Sequence, residues 1–248
     1  MKNSLIIYIF RKLRSLFSLS AFEFAMTKKQ LKLVLEDRAI QQSCKFIEEN
    51  SDHLTNYYDC HWELRKNAFK QVEKDGLLLE FGVNRGRSAN YFSKLLTEIK
   101  DERKYYGFDT FRGLTEDWGG VAEAGLFDRK GIPPSLNSNV ELVTGDILKT
   151  LEGFLNTHSS KIAFIHIDTD TYTPCEFILN RCRGRLANGS IILFDELLGY
   201  LNYKSHEYRA LLNELPRESY RFVSFGVSHN RANLIKAAIQ IVDDSLLK

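Results

Sequence analysis

The sequence predicts an α/β protein: a mostly parallel sheet with a helical extension before it and an antiparallel hairpin at its end. From residue 77 onward, five short apolar runs alternate with helical patterns, which is typical of a parallel sheet covered on both faces. The last two strand-like runs are joined by a few residues that leave no room for a helix. The chain has 248 residues, 44% of them hydrophobic, enough for a sizeable core.

The first twenty residues form a basic amphipathic segment. They contain Lys2, Arg11, Lys12 and Arg14 and no acid. On a helix the apolar residues share one face: Leu5, Ile6, Ile9, Phe10, Leu13, Leu16 and Phe17. The apolar run LIIYIF is far shorter than the roughly 20 residues that span a bilayer. Two interpretations remain open, a helix packed on its own domain or a second subunit, and a helix lying on a membrane surface.

Two regions follow from the periodicity, a helical extension over 1–75 and an α/β domain over 76–248. Between residues 28 and 74 apolar residues recur at helical spacing, and no run is typical of a strand. Helices are expected at about 174–187 and 204–215. The predicted strands are LLLEFG from residue 77, KYYGFDT (104–110), VELVTGD (140–146), IAFIHID (162–168), SIILFDE (190–196), YRFVSFGV (220–227) and RANLIKAA (231–238).

The longest irregular stretch covers residues 111–139 and is rich in glycine. A loop of this length in a compact domain is more often a lid or a binding loop than a neutral connection. Trp118 and Phe127 within it are candidates for a substrate pocket. His206 and Glu207 either face a substrate or form an exposed first helical turn. His166 alternates with isoleucines inside a strand and is expected in the core.

Charge and cysteine content exclude some classes of function. The net charge of +2 is small and mixed along the chain, so a nucleic-acid partner is not expected. The cysteines lack CxxC spacing, which argues against a zinc site and a disulfide framework. Reduced thiols in a cytoplasmic protein are the expectation. The four cysteines are Cys44, Cys60, Cys175 and Cys182.

Acids stand at the ends of all five predicted parallel strands. They are Glu80, Asp109, Asp146, Asp168, and Asp195 with Glu196. The carboxyl ends of parallel strands meet at one edge of the sheet, where ligands bind. Several carboxylates in one cleft cost stability unless a ligand or cation offsets their charge. The pattern therefore predicts a shared binding site, and it argues against a non-catalytic interaction protein that merely retains the fold.

The turn after the first predicted strand indicates the type of ligand. Its spacing GVNRG lacks the middle glycine of the dinucleotide fingerprint, which disfavours a nicotinamide-dependent oxidoreductase. Asp109 stands where an acid accepts hydrogen bonds from ribose hydroxyls. Glu80, before the glycines, suits the ammonium of an amino acid better than a phosphate. A ligand with a ribose, no phosphate and a cationic amino acid end is S-adenosylmethionine.

Four motifs, EFGVNRGRS, YGFDTFRGL, FIHIDTDTY and ILFDELLGY, resemble the macrocin O-methyltransferase family of class I S-adenosylmethionine-dependent enzymes. The resemblance covers about 77–238 and implies a Rossmann-like methyltransferase sheet. It implies a divalent metal, such as magnesium, held by Asp168, Asp195 and Glu196. It also implies cofactor contacts, with Asp146 and Ile147 near the adenine. The full cofactor set is Glu80, Gly82, Gly86, Arg87, Ser88, Asp109, Thr110, Asp146 and Ile147.

The three carboxylates also make chemical sense as a metal site. An all-oxygen set suits a hard cation that keeps positions open for substrate oxygens. Coordination lowers the pKa of a hydroxyl, and Asp168 could both bind the metal and accept the proton. The alternative is that Asp195 and Glu196 only cap the next helix.

Together these features predict a metal-dependent O-methyltransferase that acts on a sugar hydroxyl in a natural product or surface glycan. It is expected in the cytoplasm. Contact with a second subunit or a membrane surface would run through the N-terminal helix.

Overall fold

A computed structural model describes residues 28–119, 121–227 and 234–248. The amphipathic segment predicted over residues 1–20 lies outside this part of the chain, as does the connection 228–233. The chain divides into two units, Met1–Val34 and Leu35–Lys248. No described helix is long and apolar enough to cross a membrane. All four cysteines are free thiols.

One sheet of eight strands confirms the predicted fold class. The spatial order is β1-β7-β8-β6-β5-β2-β3-β4. Neighbours from β4 to β6 pair in parallel, while β8 pairs antiparallel with both β6 and β7. The strands are β1 (Asn56–Tyr58), β2 (Leu77–Phe81), β3 (Tyr105–Asp109), β4 (Val140–Thr144), β5 (Ile162–Ile167), β6 (Leu186–Leu198), β7 (Tyr220–Val227) and β8 (Ile235–Ile241).

One described helix precedes β1, and the others lie between strands along the chain. The helices are α1 (Lys28–Asn50), α2 (His61–Lys70), α3 (Arg87–Glu98), α4 (Ile147–Thr157), α5 (Tyr172–Cys182) and α6 (Glu207–Glu214). Helix α5 ends before the predicted residue 187, because a 3₁₀ turn over Arg183–Arg185 leads directly into β6. Strand β1 was not predicted. It has only three residues and pairs in parallel with β7, which places it in the sheet.

Apolar side chains cover both faces of the sheet, as the alternation of strands and helices predicts. Leu79 and Ile165 belong to one buried cluster, while Leu78 and Phe164 belong to the other. Strand β2 lies between β3 and β5, so the chain changes direction across the sheet at this point. In open α/β sheets ligands bind outside the carboxyl ends of the strands at such a switch point. The fold thereby positions the predicted site.

Candidate active site

A cavity of about 820 Å³ lies at the carboxyl ends of the strands. Its wall includes the turn after β2, the start of α3, parts of the 111–139 loop and Lys236 of β8. Most of the predicted cofactor residues line it, and so do all three predicted metal ligands. The lining members of the two sets are Gly82, Arg87, Ser88, Asp109, Thr110, Asp146, Ile147, Asp168, Asp195 and Glu196.

The two predicted cofactor glycines have packing reasons of their own. A Cβ atom on Gly82 would lie 1.8 Å from the carbonyl oxygen of Asp168, so only glycine allows β2 and β5 to approach here. Gly86 precedes α3 in a left-handed conformation with φ of 72°. A Cβ atom there would lie 2.5 Å from Leu136, so the returning loop packs directly on it. Gly86 is not among the residues that line the cavity, and its cofactor contact stays a prediction.

Asp109 ties together the two turns beside the cavity. Its Oδ2 accepts a hydrogen bond from the backbone N–H of Asn84 at 2.7 Å, and its Oδ1 accepts one from Phe111 at 2.6 Å. Each carboxylate oxygen can accept a further bond. The side chain lines the cavity, so these remaining acceptor positions are suited to a hydroxyl-bearing ligand.

Glu80 lies behind the cavity wall rather than in it. It is completely buried, and it accepts hydrogen bonds from Ser88 Oγ at 2.7 Å and Tyr105 Oη at 2.8 Å. Its Oε2 also lies 3.5 Å from Nδ1 of His166. The side chain of Glu80 turns inward and only Ser88 of the pair lines the cavity, so the contact of Glu80 with a ligand ammonium stays a prediction.

Asp195 is surrounded by cationic groups. It pairs with the guanidinium of Arg65 and the ammonium of Lys236, and its Oδ1 lies 3.3 Å from Nε2 of His166. Burial alone would raise the pKa of this carboxyl, but Arg65 and Lys236 hold it well below its usual range. Burial also acts to lower the pKa of His166, yet hydrogen bonds to Asp195 and Glu80 raise it to about 9. This half of the site is a neutralised network.

A second group of acids faces the other way. Ligand oxygens of Asp168, Asp170 and Glu196 lie within 4.8 Å of one another. Oε2 of Glu196 is buried and has no hydrogen-bond partner among the described residues. Burial and then the charge of Asp195 raise the pKa of Asp168 to about 7 and that of Glu196 well above its usual value. Lys236 lies 3.6 Å from Oε1 of Glu196 but also pairs with Asp195, so the acids here outnumber their cationic partners among the described residues.

Glu207 adds a fourth acid to the group of Asp168, Asp170 and Glu196. It is completely buried, and its Oε2 accepts a hydrogen bond from the backbone N–H of Glu196 at 3.3 Å. Its Oε1 has no partner in the part of the chain that the structure describes. Burial, followed by the charge of Asp170, raises the pKa of Glu207 well above its usual value.

A divalent cation fits the acids on this side. Asp168, Asp170 and Glu196 offer hard oxygen donors that are close together, and Asp170 and Glu196 are buried while Asp168 is half-buried. Of the predicted trio, Asp168 and Glu196 belong to this set, whereas Asp195 groups with His166 and Asp168. The helix-capping alternative does not describe Asp195 or Glu196, because both lie within β6 and α6 starts eleven residues beyond Glu196.

Sequence reasoning missed Arg65 and Lys236 as members of the site, and it indicated Asp170 only as a residue that shapes the site, without a role. Lys236 had a visible signal, since it is a lysine inside an apolar strand. Asp170 had a weaker one in the motif IDTDTY, and its left-handed φ of 62° marks a special backbone position. Arg65 had none, because it lies on α2 in the predicted helical extension.

The long loop packs partly over the site. Phe127 lines the cavity, but Trp118 is buried against Tyr200 with ring centroids 5.6 Å apart.

His206 is buried as well, and neither ring nitrogen has a hydrogen-bond partner among the described residues. It is thus neither exposed nor a lining residue of the cavity.

Residues 79–197 match the family model described as "Methyltransferase domain". This part of the chain is a methyltransferase domain. The match runs from β2 to the end of β6 and contains every acid discussed above except Glu207. This match favours a methyltransferase over the alternative of a nicotinamide-dependent oxidoreductase. No curated protein sequence matches the chain.

Solved structures share the fold of the methyltransferase domain. CalS11, described as a calicheamicin methyltransferase, is 21% identical over 89% of this chain and 88% of its own, with a TM-score of 0.57. Apo CalS11, described as a TDP-rhamnose 3'-O-methyltransferase, gives 21% over 89% of each chain and a TM-score of 0.51. The O-methyltransferase NovP is 17% identical over 73% of this chain and 79% of its own, with a TM-score of 0.52. The chain therefore has the Rossmann-like fold of class I methyltransferases.

Proposed function

We propose that the chain is an S-adenosylmethionine-dependent O-methyltransferase of the macrocin type, and that its acceptor is a sugar hydroxyl. This proposal rests on one observation: a single cavity contains both a site suited to ribose hydroxyls and a cluster of acids. Asp109 stands on one side with free acceptor positions, and Asp168 stands on the other within a buried acid cluster. The relative CalS11, described as acting on TDP-rhamnose, supports a sugar acceptor.

The cofactor binds, in this proposal, across the turns after β2, β3 and β4. Asp109 accepts hydrogen bonds from the ribose hydroxyls, while Asp146 and Ile147 lie beside the adenine. Arg87, exposed in the first turn of α3, pairs with the cofactor carboxylate. Ser88 contacts the amino acid end and is held by Glu80, which therefore acts through it.

The acceptor hydroxyl lies next to Asp168. Asp168 lines the cavity and takes the hydroxyl proton as a general base. The oxygen then attacks the sulfonium methyl in line, and S-adenosylhomocysteine leaves. Holding oxygen and carbon in near-attack geometry supplies most of the acceleration.

We further propose that Asp168, Asp170 and Glu196 hold a divalent cation such as magnesium. When bound, it stabilises negative charge on the acceptor oxygen. The sequence predicted Asp195 as the third ligand of this cation. In this proposal Asp195 does not bind the cation but holds the site in position through its contacts with Arg65, Lys236 and His166.

Calorimetry with S-adenosylhomocysteine tests the cofactor site. Asp109→Ala should weaken binding by about 2 kcal/mol, because charge-assisted bonds to ribose are lost. Asp117→Ala is the matched control, since Asp117 also accepts a backbone bond in a loop but does not line the cavity. Wild-type protein that fails to bind the ligand would reject the proposed function. Equal affinities of the two variants would remove Asp109 from the cofactor site.

The N-terminal segment is proposed to mediate association of this cytoplasmic enzyme, with a second subunit or with an anionic membrane surface. Deletion of residues 1–20 should leave S-adenosylhomocysteine affinity unchanged. The deletion should alter either the sedimentation coefficient or binding to vesicles with anionic lipids. Unchanged sedimentation and vesicle binding would contradict both forms of association.

A further inference from the structure

Four basic side chains of the cavity wall form no ion pair with a carboxylate in the described part of the chain, and one of them, Arg87, is assigned above to the cofactor carboxylate. Of the other three, Arg85 follows β2, while Arg129 and Lys130 lie in the 111–139 loop. The buried basic lining residues Arg65 and Lys236 are different, since both pair with Asp195. The unpaired cations are therefore available to a ligand.

The turn that carries Arg85 is held firmly. The backbone N–H of Asn84 donates to Asp109 at 2.7 Å, and that of Gly86 donates to the carbonyl of Val83 at 2.7 Å. Asn84 and Gly86 both have positive φ, which makes the turn tight. Arg85 thus projects from a backbone that needs little ordering when a ligand binds.

The turn that carries Arg129 and Lys130 is held in a similar way. The backbone N–H groups of Arg129 and Gly131 both donate to the carbonyl of Phe111, at 3.1 and 2.8 Å. Asp128 is the nearest acid in sequence, and its Oδ1 accepts the backbone N–H of Lys130 at 2.6 Å. That carboxylate serves the turn and does not pair with the neighbouring cations.

The two turns border one opening. The loop returns over Gly86, where Leu136 and Pro134 would lie 2.5 and 3.1 Å from an added Cβ atom. The acids Asp168 and Glu196 line the same cavity and are half-buried and buried, whereas Arg85 and Lys130 are exposed. The cavity therefore offers unpaired cations near solvent and acids deeper inside, which suits a ligand with an anionic end and a neutral, hydroxyl-bearing end.

We propose that the acceptor sugar carries a phosphate ester, and that Arg85, Arg129 and Lys130 bind it while the sugar hydroxyl reaches Asp168. Guanidinium groups match phosphate oxygens in geometry and charge. The inference rests on the proposed function and narrows its substrate class. A soluble nucleotide sugar and a lipid-linked sugar diphosphate share this chemistry.

The test uses full-length protein saturated with S-adenosylhomocysteine, so that the cofactor site is filled. Calorimetry compares inorganic pyrophosphate, glucose 1-phosphate, thymidine diphosphate glucose, glucuronate and glucose. Each phosphorylated probe should bind at least about 10-fold more tightly than glucose. Arg85→Gln and Arg129→Gln should each weaken pyrophosphate binding by about 3- to 10-fold. Arg181→Gln is the control, since Arg181 pairs with Glu152 outside the cavity.

The outcomes separate this inference from the function beneath it. Tighter binding of the nucleotide sugar than of glucose 1-phosphate indicates a soluble nucleotide-linked acceptor. Equal binding of the two indicates that the nucleoside is not read, as for a lipid-linked acceptor. Glucuronate binding as tightly as glucose 1-phosphate would overturn the assignment to phosphate. The phosphate proposal would be overturned if pyrophosphate does not bind measurably, or if it binds equally to wild type and to both variants. If S-adenosylhomocysteine still binds normally in that case, the proposed methyltransferase function stands.

Discussion

Asp195 and Glu196 are neighbours in β6 with opposite electrostatic surroundings. Both are almost fully buried. Asp195 contacts Arg65, Lys236 and His166, whereas the nearest cation to Glu196 is Lys236 at 3.6 Å from its Oε1. Their pKa values shift accordingly, that of Asp195 well down and that of Glu196 well up. Burial alone therefore does not decide the charge of a carboxyl; the partners that share its burial decide it.

The neighbours of each carboxyl explain the difference. Both acids line the same cavity in an irregular part of β6, but each contacts a different set of charged groups. On one side α2 and β8 supply cations to Asp195. On the other, Asp170 and Glu207 add negative charge beside Glu196. The charge of Asp195 is balanced by cations of the folded protein. The acids around Glu196 need a bound cation or a proton to balance their charge.

The largest expected effect comes from breaking the network around Asp195. Lys236→Met removes a buried cation and leaves Asp195 with fewer partners. Loss of one member of a buried pair costs about 3–5 kcal/mol in the free energy of unfolding. Urea unfolding followed by circular dichroism measures it. Lys94→Met is the control, because Lys94 is exposed and pairs only with Glu98 on the same helix. A loss as small as that of the control would show that the network contributes little.

Next in size is the effect of removing a ligand from the acids around Glu196. Glu196→Gln should weaken magnesium binding by about 10- to 100-fold, by analogy with the loss caused by altering even the supporting shell of a metal. Asp195→Asn should change magnesium affinity less and the free energy of unfolding more. Calorimetric titration of magnesium into chelator-treated protein, with methyl transfer as a second readout, separates the two. If Asp195→Asn weakens magnesium binding as much as Glu196→Gln, Asp195 is a ligand after all. Full methyl transfer by chelated wild type would reject the metal role.

The two sides also predict the pH dependence of stability without metal. Asp168 binds its proton more tightly folded than unfolded, since its pKa rises from 3.8 to about 7. The folded state then holds more protons between these values, so stability falls as pH rises through this window. The raised pKa of His166, about 9, continues the fall above its usual value of 6.5. Thermal melting in chelator should show a falling midpoint from about pH 5 to 9, and magnesium should restore it most at high pH. A rising midpoint would contradict the charge assignment.

How far the sequence predicted this site can be argued from particular residues. The acids after β3 and β5 were predictable, because strand ends of a parallel sheet share one edge and Asp109 and Asp168 both line the cavity there. The inward turn of Glu80 was not, because it depends on Tyr105 and His166 on neighbouring strands. The separation of Asp195 from Glu196 depends on Arg65, 130 residues away along the chain. Local periodicity carries no information about such partners.

The smallest expected effect concerns Glu116, whose negative charge lies at the N-terminus of helix α5. It accepts hydrogen bonds from the backbone N–H and Oγ1 of Thr173 at 2.9 and 2.8 Å, in the first turn of α5. Glu116→Gln keeps an acceptor for the N–H, and the threonine hydroxyl can reverse its role and accept from the new amide. The substitution therefore removes mainly the attraction between the charge and the helix dipole, about 0.3–1 kcal/mol of unfolding free energy. Glu116→Ala, which also loses both bonds, should cost more in the same urea unfolding experiment. A loss in Glu116→Gln as large as that in Lys236→Met would mean that the helix terminus depends on this charge as strongly as Asp195 depends on its buried cations.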